Sequence, residues 1–138
     1  MKLEFDIASG DFSQAGQASS RIKKVLKQLQ VDPKVIKRIV VAVYEAEVNV
    51  VAHSLGGQII AEFSNEYVEI TVQDCGPGIA DIGQAMTEGY STASKKVRDM
   101  GFGAGMGLPN IKRNTDELSI ESTVGKGTCL KFKNNLNG

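Results

Sequence analysis

Tryptophan is absent from this 138-residue chain, aromatic residues make up only 6% of it, and its one histidine is His53. One histidine and two cysteines, Cys75 and Cys129, provide neither a zinc-type ligand spacing nor a disulfide framework. No apolar run approaches the roughly 20 residues that a membrane span needs. The opening Met1-Lys-Leu-Glu-Phe-Asp alternates like a strand and lacks the apolar stretch of a secretory signal. A cytoplasmic location without membrane attachment is therefore expected. Net charge is missing too. Sixteen basic residues balance sixteen acidic ones, so no global field would draw the chain to nucleic acid.

Cationic residues are also missing locally. No lysine or arginine falls between Arg38 and Lys95, a span holding Glu45, Glu47, Glu62, Glu66, Glu69, Asp74, Asp81 and Glu88. Lys95, Lys96 and Arg98 then follow at once. An acidic stretch that includes Asn49 suits Mg²⁺, and the cationic cluster suits the phosphates such an ion carries. A solvated loop of mixed charge accounts for the lysines equally well.

The length fits one domain, residues 1–138, with a core large enough to stand without disulfides or structural metal. Residues 2–7 read as a short strand. Asp11 is placed to cap a helix over 11–30, where Ala15, Ala18, Ile22, Val25, Leu26 and Leu29 recur at helical spacing. Asp32-Pro33 starts a second helix, because aspartate accepts first-turn N–H groups and proline loses nothing at the first position. That helix runs over 33–54 and stops at Gly56-Gly57, with Ile36, Ile39, Val40, Val43, Val50 and Val51 forming a core stripe. Strands over 58–64 and 67–73 meet at a tight Asn65-Glu66 turn. Residues 76–107, rich in Gly, Ser and Thr and with one short helix over 81–87, have the character of a lid or binding loop. A helix over 106–114 follows, then strands over 117–122 and 128–133 around a 125–127 turn. The expected class is α+β, a two-layer α/β sandwich with helices on one face of a sheet.

Four short signatures punctuate this pattern in order: Glu45-Ala-Glu-Val-Asn49, Asp74-Cys-Gly-Pro-Gly-Ile79, Gly101-Phe-Gly-Ala-Gly-Met-Gly-Leu108 and Gly125-Lys-Gly-Thr128. Glu45, Asn49 and His53 are each four apart and project from nearly one helix face. A carboxylate and an amide oxygen there can order a hydroxyl and ligate Mg²⁺; a plain solvent face is the alternative. Asp74 ends a strand and offers acceptors to an exocyclic amine, while Gly76 and Gly78 let backbone approach a flat ring. Glycines at 101, 103, 105 and 107 exceed what one turn requires. Directly before a helix they can turn several N–H groups toward an anion. Neither a Walker-type loop nor a Rossmann fingerprint fits the spacing. Taken together, the set describes a nucleotide site.

These elements resemble the N, G1, G2 and G3 boxes of the GHKL (Bergerat-fold) superfamily of gyrases, chaperones and histidine kinases. Nearly the whole chain is covered. Within it, the chain is most similar to stand-alone bacterial anti-sigma-factor serine/threonine kinases, which Gly89-Tyr90-Ser91-Thr92, Asp116 and Ser122 also resemble. The resemblance implies a histidine-kinase-like sandwich with a mixed sheet and a long ATP lid. It implies ATP and Mg²⁺ as cofactors, with Asn49 the metal ligand and Asp74 the adenine anchor, supported by Thr128. Gly76, Gly78 and Ile79 would lie at the base, and Lys95, Gly103, Gly105, Met106, Gly107 and Leu108 at the phosphates and lid. Glu45 would be the general base. No helix pair with a phosphoacceptor histidine precedes the first helix, so a complete sensor kinase is not expected.

Glu47 departs from the resemblance. It falls on the Ile36/Val43/Val50 side, where a buried carboxylate needs a hydrogen-bond partner or a subunit interface. It would be the second-ranked base were the helix register shifted. Cys75 is expected to be a buried or inert thiol, with redox sensing as the alternative, and His53 a helix-end packing residue, with a catalytic role as the alternative. The function implied is a protein serine/threonine kinase acting as an anti-sigma factor, with a sigma factor and a STAS-type anti-anti-sigma protein as partners; a homodimer is compatible with it. The alternative is an ATP-binding switch module that grips a partner with little phosphotransfer. The basic face of the first helix (Arg21, Lys23, Lys24, Lys27) is a candidate docking surface or an ordinary solvated face.

Overall fold

A computed structural model of the protein describes residues 1–8, 10, 15–53, 56–75, 107–123 and 126–137. Among the described residues eight elements follow one another: β1 (Lys2–Ile7), α1 (Gln17–Gln28), α2 (Pro33–His53), β2 (Gly57–Phe63), β3 (Tyr67–Asp74), α3 (Gly107–Arg113), β4 (Glu117–Thr123) and β5 (Gly127–Asn135).

Apolar spacing places both long helices where the sequence predicts them. Ala18, Ile22, Val25 and Leu26 of α1 are buried, while Arg21, Lys23, Lys24 and Lys27 remain in solvent. α1 starts later than predicted, and Asp11 itself lies outside the described residues. Ala15 and Gly16 form a turn, Gly16 has a left-handed φ of 101°, and α1 begins only at Gln17. At its other end Gln30, with φ 58°, closes the helix; its N–H and that of Val31 bond the Lys27 and Leu26 carbonyls. α2 opens as expected, with the Asp32 carboxylate accepting from Lys34 N at 2.8 Å. Ile36, Ile39, Ala42, Val43, Ala46 and Val50 of α2 then enter the core. α2 packs against α1 on one side and α3 on the other.

The sheet has the order β1-β2-β3-β5-β4. Its four pairings are all antiparallel, not mixed as the resemblance implied. Two helices lie between β1 and β2, and β2 enters antiparallel to β1. β3 and β4 do run in the same direction, but β5 inserts between them and turns one parallel relation into two antiparallel ladders. Ile59, Ala61, Val68, Ile70, Val72, Leu130 and Phe132 face the helices and form the core. The alternate residues of the same strands face outward and pair as polar groups. Lys131 meets Glu69 at 3.9 Å, and Lys133 meets Glu117 at 3.7 Å and lies 4.1 Å from the centre of the Tyr67 ring. Such surface pairs add little stability. Among the described residues, no helix is long and apolar enough to cross a membrane.

Candidate nucleotide site

α2 carries three acids and amides within five residues, and their surroundings differ sharply. Glu45 and Asn49 are half-buried on one line of the helix, whereas Glu47 between them is 1% exposed. The Glu45 carboxylate accepts a hydrogen bond from Asn110 Nδ2 of α3 at 3.3 Å. The Asn110 amide oxygen in turn accepts from Arg113 Nη2 at 2.6 Å. Sequence reasoning missed Asn110, which looks like any polar residue in a short helix; only the packing of α3 on α2 brings it to Glu45. His53 ends α2, and its side chain lies outside the described residues.

The Glu47 carboxylate finds the partner it was expected to need, in the N-terminus of α1. Its oxygens accept from Ala18 N at 3.1 Å and Ser19 N at 3.4 Å. Gly16 supplies no side-chain cap, so a residue from another helix takes that role. Burial pushes the Glu47 carboxyl above its ordinary value, while the N–H groups of Ala18, Ser19, Gly16 and Gln17 pull it back. A carboxylate buried and engaged in this way is not placed to serve as a base, which removes Glu47 from that role.

At the end of β3, Asp74 stands opposite Gly57 in register. Its Oδ1 accepts from Thr128 N at 3.0 Å. The Thr128 hydroxyl lies 3.0 Å from the Ser122 hydroxyl, which donates to Gly127 O at 3.2 Å. With its one hydrogen directed at Gly127, Ser122 receives the hydrogen of Thr128. Three strands thus converge on one carboxylate. Burial raises the Asp74 carboxyl above its ordinary value, against the smaller opposing pull of the Thr128 N–H. Two glycines permit this crowding. A Cβ on Gly127, whose φ is 137°, would overlap the Asp74 carbonyl oxygen, and one on Gly57 would overlap that of Gln73. Gly127 therefore does more than turn a hairpin.

An open depression of about 610 Å³ borders this strand end and is lined by Gln58, Gln73, Asp74, Cys75, Thr128 and Cys129, among others. It follows the polar face of the sheet and does not include Glu45 or Asn49. Cys75 is exposed rather than buried, because it follows the last residue of β3 at the sheet end; Cys129 is half-buried, and both are free thiols. Cys75 N donates to Gly56 O at 3.0 Å, fastening the strand end to the point where α2 gives way to β2. Gly107 begins α3, and Leu108 packs partly buried on the core. Gly76, Gly78, Ile79, Lys95, Gly103, Gly105 and Met106 lie outside the described residues, as do the predicted lid helix and the Gly89–Thr92 segment.

Residues 8–133 match the family model of the histidine kinase-like ATPase domain. The chain belongs to that family. It is 36% identical over 98 residues to the serine/threonine-protein kinase RsbT of Bacillus subtilis, an alignment covering 68% of each chain. It is 32% identical to the anti-sigma F factor of Clostridium novyi across 99% of this chain and 94% of that one. Among solved structures, the RsbU and RsbW domains of a Mycobacterium tuberculosis protein superpose with a TM-score of 0.66 at 19% identity. That match covers 99% of this chain and 32% of the solved one, so the present chain spans about a third of its length. The mycobacterial sensor histidine kinase MprB superposes with a TM-score of 0.55 at 15% identity, covering 98% and 97% of the two chains. At these identities the two structures speak for the fold alone.

Proposed function

We propose that this family member is an ATP- and Mg²⁺-dependent protein serine/threonine kinase that acts as an anti-sigma factor and phosphorylates a STAS-type anti-anti-sigma partner. The observation that carries the reading is the separation of duties on α2. Glu47 is buried and spent on α1, while Glu45 is half-buried, hydrogen-bonded and on one line with Asn49. Nucleotide binding needs an amide and a base anchor; it does not need Glu45. A carboxylate at that position suits the removal of a proton from an incoming hydroxyl.

In this reading Asp74 receives the adenine amine, with Thr128 and Ser122 bracing it, and the glycines preceding α3 meet the phosphates. Asn49 provides one oxygen ligand. Mg²⁺ takes one or two protein ligands and otherwise uses phosphate and water oxygens, so a single amide fits it, and the bound ion would neutralise charge on the transferred group. The serine or threonine oxygen of the partner attacks the γ-phosphorus as Glu45 takes its proton, and ADP leaves. The relatives named as a serine/threonine kinase and an anti-sigma factor support the same assignment.

Incubation with γ-labelled ATP, Mg²⁺ and the host's purified STAS-domain proteins tests it. We expect label on a STAS serine or threonine, and a loss of at least about 100-fold in rate with Glu45→Ala. Tight ATP binding without transfer to any of them would leave the partner-gripping switch as the better reading.

A further inference from the structure

We propose that Asn110 is a positioning residue for Glu45, fixing the carboxylate for proton transfer and tying it to the helix that follows the glycine-rich segment. The proposal rests on the reading of Glu45 as the base. A glutamate rooted on one helix has several rotatable bonds, and catalysis requires its oxygen to be held within a few tenths of an ångström. The Asn110 bond to Glu45 Oε1, at 3.3 Å, gives it a fixed partner from a second helix.

Arg113 determines which end of the Asn110 amide faces Glu45. A guanidinium has donors only, so the Asn110 oxygen turns to Arg113, at 2.6 Å, and its nitrogen is left to donate to the carboxylate. The order of the relay also matters chemically. A direct Arg113–Glu45 ion pair would stabilise the charged carboxylate and make it a poorer proton acceptor. A neutral amide between them passes on orientation without setting a full positive charge against the base. Asn110 lies three residues after Gly107, so a shift of α3 at its glycine end would be felt at Glu45.

The test uses the full chain, γ-labelled ATP with Mg²⁺, and the STAS protein that the wild type labels. A fluorescent ATP analogue reads nucleotide affinity separately, and thermal melting verifies folding. Asn110→Ala and Asn110→Asp should each lower kcat about 10- to 100-fold, because a misplaced base costs that much. KM for ATP and analogue affinity should stay within about 2-fold, as expected when only transition-state positioning is lost. The Asp variant decides between roles: it keeps the side-chain shape and the Arg113 contact but cannot donate to Glu45. Asn110→Gln, which restores a donor, should recover part of the rate, and Arg113→Met should lose less than Asn110→Ala. Wild-type kcat in Asn110→Asp, or a raised KM with kcat intact, would overturn the positioning role while leaving Glu45 as the base. Transfer that survives Glu45→Ala, or no transfer by the wild type, would overturn both.

Discussion

In the proposed function, the Asp74 carboxylate would serve as both structural anchor and recognition group. One backbone N–H, from Thr128, occupies part of its acceptor capacity, and burial has already raised the cost of its charge. An exocyclic amine arriving at such a group meets an acceptor that is partly dehydrated and fixed in place. Asp74→Asn replaces one acceptor oxygen with a donor and turns attraction into a clash of N–H groups. We expect the variant to fold and to lose ATP affinity by at least about 30-fold, a charged hydrogen bond being worth about 1.5–3 kcal/mol. Titration with a fluorescent ATP analogue measures this, and an unchanged Kd would remove Asp74 from the adenine site. Glu45, Glu47 and Asp74 have the same type of functional group in three settings, and the setting makes Glu47 a cap and suits the other two to the proposed roles of base and adenine anchor.

Among the elements, the pairing of α1 with α2 depends on Glu47. Glu47→Ala leaves the first-turn N–H groups of α1 without their acceptor and opens space beside Ala18. The cost should be about 1–3 kcal/mol, the range for a lost cap or an unsatisfied buried group. Chemical denaturation reads it, and a stability equal to wild type would mean that the cap contributes nothing. Sequence shows this contact only by half. Helical periodicity placed Glu47 among buried residues and so demanded a partner. The partner itself, some thirty residues upstream, had no local signal, and Asp11 drew the predicted start of α1 six residues too early. Asn110 was invisible for the same reason. The strands were easier, because alternation and turn residues are local; their boundaries shift by only one or two residues. Strand direction was not local, and the insertion of β5 between β3 and β4 turned an expected mixed sheet into an antiparallel one.

Across the whole molecule, Asp116 links the helical layer to the sheet. Its Oδ1 accepts from Arg38 Nη1 of α2 at 3.2 Å, and its Oδ2 from Asn135 N of β5 at 2.7 Å. The Asn135 N–H, and to a lesser degree Arg38, hold its carboxyl below the ordinary value. A depressed folded-state pKa gives stability that is present above the unfolded value and is lost as pH falls through the folded one. Asp116→Asn should therefore cost about 0.5–1 kcal/mol at neutral pH, allowing for solvent screening of this surface pair. The gap from wild type should close as pH drops below the ordinary aspartate range, and melting curves across that range would reveal it; a constant gap would point to shape rather than charge. The sheet order has a consequence for the chain as it leaves the ribosome. Asp74 precedes Thr128 in the chain, and β5, which carries Thr128, is the last of the five described strands and lies between two synthesised before it. Until β5 is in place, Asp74 lacks its Thr128 brace, so in the proposed reading a nascent chain would not complete the adenine anchor before then.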